Sequence, residues 1–258
     1  MSIRSELANG VAVIEIARPE KRNALTADMY TALASALEEA QTDASARAVL
    51  LRGQPQVFTA GNDLEDFLAH PPQGEDAPVY RFMRSLIACD KPVITAVTGA
   101  AVGIGTTLLL HCDLVYAAED ARFGLPFVTL GLVPEFASSA LLPALAGTAR
   151  IGEQLLLGES FGAAQALQLG LLTGVLPPGE VLAHAQRQAE RCAHLPVQAV
   201  RDTKRLMRAG RAALIERALQ AEGAIFVERL RSPEARAAFE AFVNKRRGDS
   251  PRRPSGAD

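Results

Sequence analysis

Residues Pro92–Cys112 carry no formally charged side chain, and a run of that length has two physical destinations. About 20 apolar residues span a bilayer as one helix, or the run is buried inside a water-soluble fold. This one opens on Pro92, contains Gly99, Gly103 and Gly105, and is threaded with threonines. It therefore reads as a buried strand, a tight glycine turn and a buried helix, and no membrane partner is expected. A chain of 258 residues, 48% hydrophobic and 22% charged, is long enough to enclose such a core.

On either side of that run the hydrophobic period switches between strand and helix. Val11–Ala17 reads as a strand ended by Arg18-Pro19. Thr26 caps a helix running to Gln41, with Met29, Leu33 and Leu37 on one face. Ala48–Leu51 is a strand, Val79–Cys89 a helix, Val93–Val97 a strand, Thr106–Leu110 the start of a helix and Leu114–Ala117 a strand. Such alternation predicts α/β architecture. From Val181 only helices follow, over Val181–Ala193, Pro196–Arg208, Ala212–Leu230 and Pro233–Arg246. The last stretch, Arg247–Asp258, is rich in Pro, Arg, Ser and Gly and is expected to be disordered. The domains are an α/β core over 1–195, a helical region over 196–247 and a tail over 248–258.

Cys89, Cys112 and Cys192 are odd in number, widely spaced and without a CxxC pair, so neither a disulfide framework nor a zinc site is suggested. Met1–Gly10 lacks the pattern of a signal peptide, and reduced thiols suit a cytoplasmic location. Charge is uneven: from Arg201 onward 14 basic and 8 acidic residues give a net of +6, against −8 for the first 200. A basic end can meet an anionic ligand or form a solvated helical face. Aromatic residues that could stack bases are scarce there, so no nucleic acid is expected.

Few residues are left to carry chemistry. His70, His111, His184 and His194 stand apart from any nucleophile setting, and no GxSxG, HExxH or GxxxxGK[ST] run occurs. Gly103-Ile104-Gly105 opens like a dinucleotide fingerprint, but Leu108 stands where its third glycine belongs. Two glycine turns remain, FTAGNDL (58–64) and GAAVGIG (99–105). Glycine lets the backbone bring its N–H groups to a ligand, and the second turn feeds a helix whose N-terminus favours a developing anion. Either turn can equally be structural. One isolated acid, Glu135, lies in GLVPEFASS (131–139). Enclosed by Leu132, Val133 and Phe136, it would lose hydration and become a stronger base. The alternative is a glutamate placed by the dipole ahead of a helix near Ser139–Ala146.

Taken in order, RPEKRNAL (18–25), FTAGNDLEDF (58–67), KPVITAVTGAAVGIGTTLLLHCDLVYA (91–117), FGLPFVTLGLVPE (123–135), FGAAQALQLGLLTGVL (161–176) and FVNKRR (242–247) resemble the crotonase, or enoyl-CoA hydratase/isomerase, superfamily. The resemblance runs from Val11 to Arg247. It implies the crotonase ββα superhelix with a C-terminal helical trimerisation region, giving a homotrimer or a hexamer. It also implies acyl-CoA substrates, no other cofactor and no metal. The two turns become an oxyanion hole made by the backbone N–H groups of Asn62 and Ile104. CoA contacts carry over to Lys21, Arg22 and Ala24, to Ala60, Asp63 and Leu64, and to Phe242 and Lys245 near a neighbouring subunit's C-terminus. His70–Pro78 and the helix after it would line the acyl tunnel.

Hydratases of that superfamily place two glutamates around a water, and Thr107 and Phe127 hold the matching positions here. Glu135 instead falls where Δ3,Δ2-enoyl-CoA isomerases carry a single glutamate. The resemblance thus implies an isomerase that moves a 3-enoyl double bond to the 2-position through a dienolate. A hydratase-like or other CoA-thioester enzyme is the alternative, and a non-catalytic acyl-CoA-binding protein a further one. A Glu135 aimed at the pocket favours the enzyme; one bonded only to its helix N-terminus favours the binder. Self-association is also expected because Leu214, Ala218, Phe226 and Leu230 form an apolar face with little core left to cover it.

Overall fold

The computed structural model describes residues 2–72, 74 and 76–248, with the side chains of 242–248 outside that description. β1 (Ile3–Ala8) and β2 (Val11–Ile16) form a hairpin whose turn residues, Asn9 and Gly10, both have positive φ, as a two-residue type I′ turn requires. β1 escapes sequence periodicity because Ile3 is its single buried residue. Thr26 caps α1 (Ala27–Thr42) by accepting from the Met29 amide at 3.3 Å, as expected.

The chain then repeats a three-part unit. β3 (Ala48–Arg52) leads to β4 (Val57–Thr59), α2 (Leu64–Ala69) and α3 (Pro78–Ala88). β5 (Val93–Val97) leads to β6 (Ala100–Val102) and α4 (Ile104–Thr107), and β7 (Leu114–Ala118) to β8 (Arg122–Gly124) and α5 (Ser138–Ala146). The first strand of each unit joins one sheet and the second strand joins another. The larger sheet has the order β1-β2-β3-β5-β7-β10, with β10 (Gly174–Leu176) at its edge. The smaller has the order β4-β6-β8-β9, closed by β9 (Phe161–Gly162). All pairings are parallel except β1 with β2 and β8 with β9. Parallel strands covered on both faces read as apolar runs, and β5 is buried at every position. This strand–strand–helix repeat is the ββα superhelix that the sequence resemblance implies.

α6 (Thr148–Leu156) and α7 (Ala163–Gln168) flank β9, and α8 (Val181–Ala193) packs on β3, β5 and β7. The chain ends in α9 (Val197–Ala209), α10 (Ala212–Leu230) and α11 (Pro233–Gly248). The uncharged run is β5, β6 and α4, followed by a 3-10 turn over Leu108–His111. The helix expected from Thr106 therefore starts two residues earlier and tightens at Leu108. α11 continues through Arg247 and Gly248, which the sequence assigns to the tail, while 249–258 lie outside the described residues.

One expectation about packing is corrected. Ala218 and Phe226 are buried, and Leu214 and Leu230 pack against the core from partly buried positions. The apolar face of α10 is satisfied within its own chain, because it lies over α5 and α11. Among the described residues no helix is long and apolar enough to cross a membrane.

Candidate active site

The two glycine turns meet backbone to backbone. β4 pairs with β6, which sets FTAGNDL beside GAAVGIG. Gly61 has φ +84°, and a Cβ there would lie 2.6 Å from the Val102 carbonyl oxygen. At Gly105 a Cβ would meet Thr59 Cγ2 at 2.5 Å. Only glycine permits this approach, and its result is that the turn carrying Asn62 lies against the turn that leads into Ile104. Ile104 opens α4, so its N–H has no carbonyl one turn back. Among the described residues neither the Ile104 N–H nor the Asn62 N–H has a backbone acceptor.

The first turn is tied down by polar groups. Leu25 donates to Gly61 O at 2.8 Å and Asp63 to Leu25 O at 2.8 Å. Asn23, fully buried, donates from Nδ2 to the carbonyls of Val57 and Phe58, both at 3.0 Å. Asp63 accepts from the Glu65 and Asp66 amides at the start of α2 and from Arg18 at 2.7 Å. Burial opposes its ionisation, but the Arg18 bond and the two amides win and hold its carboxyl below the usual range. The Tyr30 hydroxyl donates to Asn62 Oδ1.

Across from the turns lies Glu135, 8% exposed, between the 3-10 turn Val128–Leu130 and α5. Burial, and then the charge of Glu222, push its carboxyl up to about 8. Its Oε1 is buried without a hydrogen-bond partner, the state in which a carboxylate is most basic. The residues after it, Phe136 and Ala137, are both left-handed at φ 61° and 59°. For residues with a Cβ that costs roughly 1–2 kcal/mol each, so other contacts must hold the turn. His111 Nε2 faces Phe136 O at 2.8 Å and its ring stacks on Phe136 at 4.1 Å. Burial keeps this imidazole neutral, with a pKa of about 3. Ser138 Oγ donates to Glu135 O at 2.6 Å. Glu222, from α10, accepts from the Ala137 amide at 2.6 Å and the Ser139 amide at 2.8 Å.

Glu135 is therefore not the cap of α5. Glu222 fills that place, and Glu135 turns into a cavity of about 450 Å³. Arg22, Ala24, Ala60, Asn62, Leu64, Gly103 and Phe127 also line it. Of the residues singled out in the sequence, Lys21 lies on the exposed loop beside it and pairs with Glu65 at 3.4 Å. Asp63 and Ile104 are not among the lining side chains; Asp63 faces Arg18, and Ile104 is wholly buried. Thr107 is buried outside the cavity. The side chains of Phe242 and Lys245 lie outside the described residues, although α11 itself packs on the cavity through Phe239. A second, small cavity shares Phe67, Glu135 and Phe226 with the first and is also lined by Val79, Tyr80 and Met83 of α3.

Glu222 and Tyr30 escaped the sequence reading. Glu222 leaves one trace, since it falls four residues after Ala218 and four before Phe226 on the buried stripe of α10. A carboxylate there needs a partner.

Known proteins are similar to this chain in sequence and fold. The family model described as enoyl-CoA hydratase/isomerase matches residues 6–250. A probable enoyl-CoA hydratase from Bacillus subtilis is 33% identical over 92% of this chain and 93% of its own. Enoyl-CoA delta isomerase 2 from Rattus norvegicus is 35% identical over 77% of this chain, which spans 52% of that longer protein. The crystal structure of an enoyl-CoA hydratase/isomerase from Pseudoalteromonas atlantica superimposes with a TM-score of 0.90 at 40% identity, covering 100% of both chains.

Proposed function

The chain belongs to the enoyl-CoA hydratase/isomerase family, and from that premise we propose that it moves the double bond of a 3-enoyl-CoA thioester to the 2-position. The observation that carries the proposal is Glu135, a single buried carboxylate on a cavity wall shared with the two glycine turns, whose Asn62 and Ile104 amides lack a backbone acceptor. The thioester carbonyl would accept from the Asn62 and Ile104 N–H groups. Glu135 takes the proton from C2, and charge passes into a dienolate whose oxygen those amides hold. The same carboxyl then returns the proton at C4, so no second acid is needed. Amides aimed where charge develops can contribute roughly 3–4 kcal/mol each.

Hydration needs a second group to activate water. Thr107 is buried away from the cavity and Phe127 is apolar, which supports isomerisation over hydration. Arg22 at the cavity wall and Lys21 beside it suit the phosphates of CoA, with Ala24, Ala60 and Leu64 around the adenine and Asp63 fixing the turn. Phe242 and Lys245 are assigned by resemblance alone. Free thiols suit a reducing cytoplasm. A homotrimer or hexamer is part of the proposal, now motivated by the exposed Leu156, Leu157, Leu206 and Met207 rather than by α10. Light scattering should show a species well above the 27.4 kDa chain.

The deciding experiment is a panel of trans-3-, cis-3- and trans-2-enoyl-CoA esters of several lengths with the purified protein. Faster isomerisation of a 3-enoyl ester than hydration of any 2-enoyl ester is expected. The opposite order, or no turnover at all with acyl-CoA binding intact, would replace the proposal with the hydratase or the binding protein.

A further inference from the structure

We propose that Glu222 is the positioning residue of the base: reaching from α10, it clamps the Ala137 and Ser139 amides, fixes the left-handed turn that aims Glu135, and sets a negative charge against it. The inference rests on the assignment of Glu135 as the base.

A helix N-terminus is ordinarily capped by its own first residues. The cap position of α5 is Ala137, which has no side-chain acceptor and is itself left-handed. The missing acceptor comes from a distant helix. Both Glu222 oxygens are engaged, one with each amide, and the partial positive charge of the α5 N-terminus adds to them. Protonating Glu222 would weaken those charge-assisted bonds, so it is poorly placed to exchange protons with a substrate. It does line the small second cavity that Glu135 also borders, close enough for its charge to be felt.

Other groups around Glu135 are accounted for. From α1 comes Tyr30 and from α3 Tyr80, whose hydroxyls are held protonated by burial and, next, by the charge of Glu135. Asp66 of α2 acts on Tyr30. His111 stands behind Phe136 as a neutral donor. Arg22 lies on the wall of the same cavity. Among these groups Glu222 is the one to which a rise in Glu135's pKa is traced besides burial itself. Burial pushes the Glu222 carboxyl up as well, but the Ser139 and Ala137 bonds pull against that rise, and Glu135 has no such bonds; Glu222 therefore ionises first and Glu135 keeps its proton to higher pH.

The clamp makes two separable contributions, aim and charge. Glu222→Gln removes the charge and leaves one oxygen for two amides. Glu222→Asp keeps the charge but is one methylene short. The pH profile of kcat/KM for 3-enoyl-CoA isomerisation separates them, with circular dichroism to check folding. Wild type should lose activity below a limb near 8, where Glu135 takes its proton. Glu222→Gln should lower kcat about 10-fold or more, the scale of a misplaced group, and move that limb to lower pH by about half a unit or more. Glu222→Asp should lower kcat with the limb near its wild-type place. Loss of kcat in Glu222→Gln with an unmoved limb would reduce Glu222 to a structural cap, and wild-type behaviour would remove it altogether.

Infrared titration of the protein without substrate gives a readout independent of turnover. The carboxyl band abolished by Glu135→Gln should titrate near 8 in wild type and lower in Glu222→Gln. Complete ionisation of that group by about pH 6 in wild type would overturn the proposal even if no Glu222 variant folds. Undiminished turnover in Glu135→Gln would instead overturn the assignment of the base, and the infrared shift would still decide the clamp.

Discussion

The two sides of the cavity are built by opposite means. The glycine turns are made of backbone, brought together by β4–β6 pairing, and their close approach rules out a Cβ at Gly61 and Gly105. The base loop consists of residues with side chains in left-handed conformations, fastened by Glu222, His111 and Ser138. A donor that must not move is supplied by turns anchored on paired strands, and a base that must stay poorly solvated is supplied by a loop pressed into the core. The first side fails when a side chain is added; the second fails when one is taken away.

The largest effect should come from the second side. Glu135→Gln keeps the volume and removes the basicity, so kcat for 3-enoyl-CoA isomerisation should fall by at least ~100-fold, the low end for losing a general base. Acyl-CoA affinity, measured by calorimetry, should change little. Turnover within a few-fold of wild type would show that the base lies elsewhere. The mirror experiment is Gly61→Ala, whose methyl would sit 2.6 Å from Val102 O at φ +84°. It should displace the Asn62 amide and lower kcat about 100-fold, the cost of one oxyanion donor, with a stability loss of roughly 1–3 kcal/mol. If Gly61→Ala turns over normally, the first turn is not part of the oxyanion site.

These sides were not equally legible in the sequence. Gly61 and Gly105 announce themselves because a tight approach admits no other residue, Gly103 because its φ is +56°, and the ordered motifs around them carried the fold as well. Glu135 was visible as an acid in apolar sequence, but whether it capped α5 or faced the cavity could not be read locally. That was decided by Glu222, which reaches α5 from another helix. Ala218 and Phe226 misled for the same reason: an apolar helix face looks alike whether its cover is the same chain or another copy. β1 was invisible because hairpin bonding, not burial, maintains it.

A poorly solvated base should also leave a mark on stability. Glu135 has its folded pKa raised to about 8, above the ordinary value for an unfolded glutamate. Between those two values the folded state binds more protons than the unfolded one, so this group lowers stability as pH rises through that window. Glu135→Gln removes the term. The variant should melt within a degree or two of wild type near pH 4.5 and increasingly above it toward pH 8, where the gain is of the order of a few kcal/mol. A difference in melting temperature that stays flat across that range would mean Glu135 is ionised and solvated in the folded protein.

The smallest effect belongs to Tyr30, where the two sides touch. Its hydroxyl donates to Asn62 Oδ1 on the first turn, and its ring lies near enough to Glu135 for that charge to raise its pKa, after burial itself. Tyr30→Phe deletes the hydrogen bond and leaves the packing against Phe82. The Asn62 backbone is still held by its neighbours, through Leu25 N–H to Gly61 O and Asp63 N–H to Leu25 O. The loss should therefore be about 1 kcal/mol and no more than ~10-fold in kcat. Because an uncharged hydroxyl exerts little field on Glu135, the pH limb should not move. A Tyr30→Phe variant that shifts the limb would mean the phenol bonds the base directly and that the two sides work as one network. An unmoved limb with a several-fold lower kcat would keep them separate, with Tyr30 serving the oxyanion turn alone.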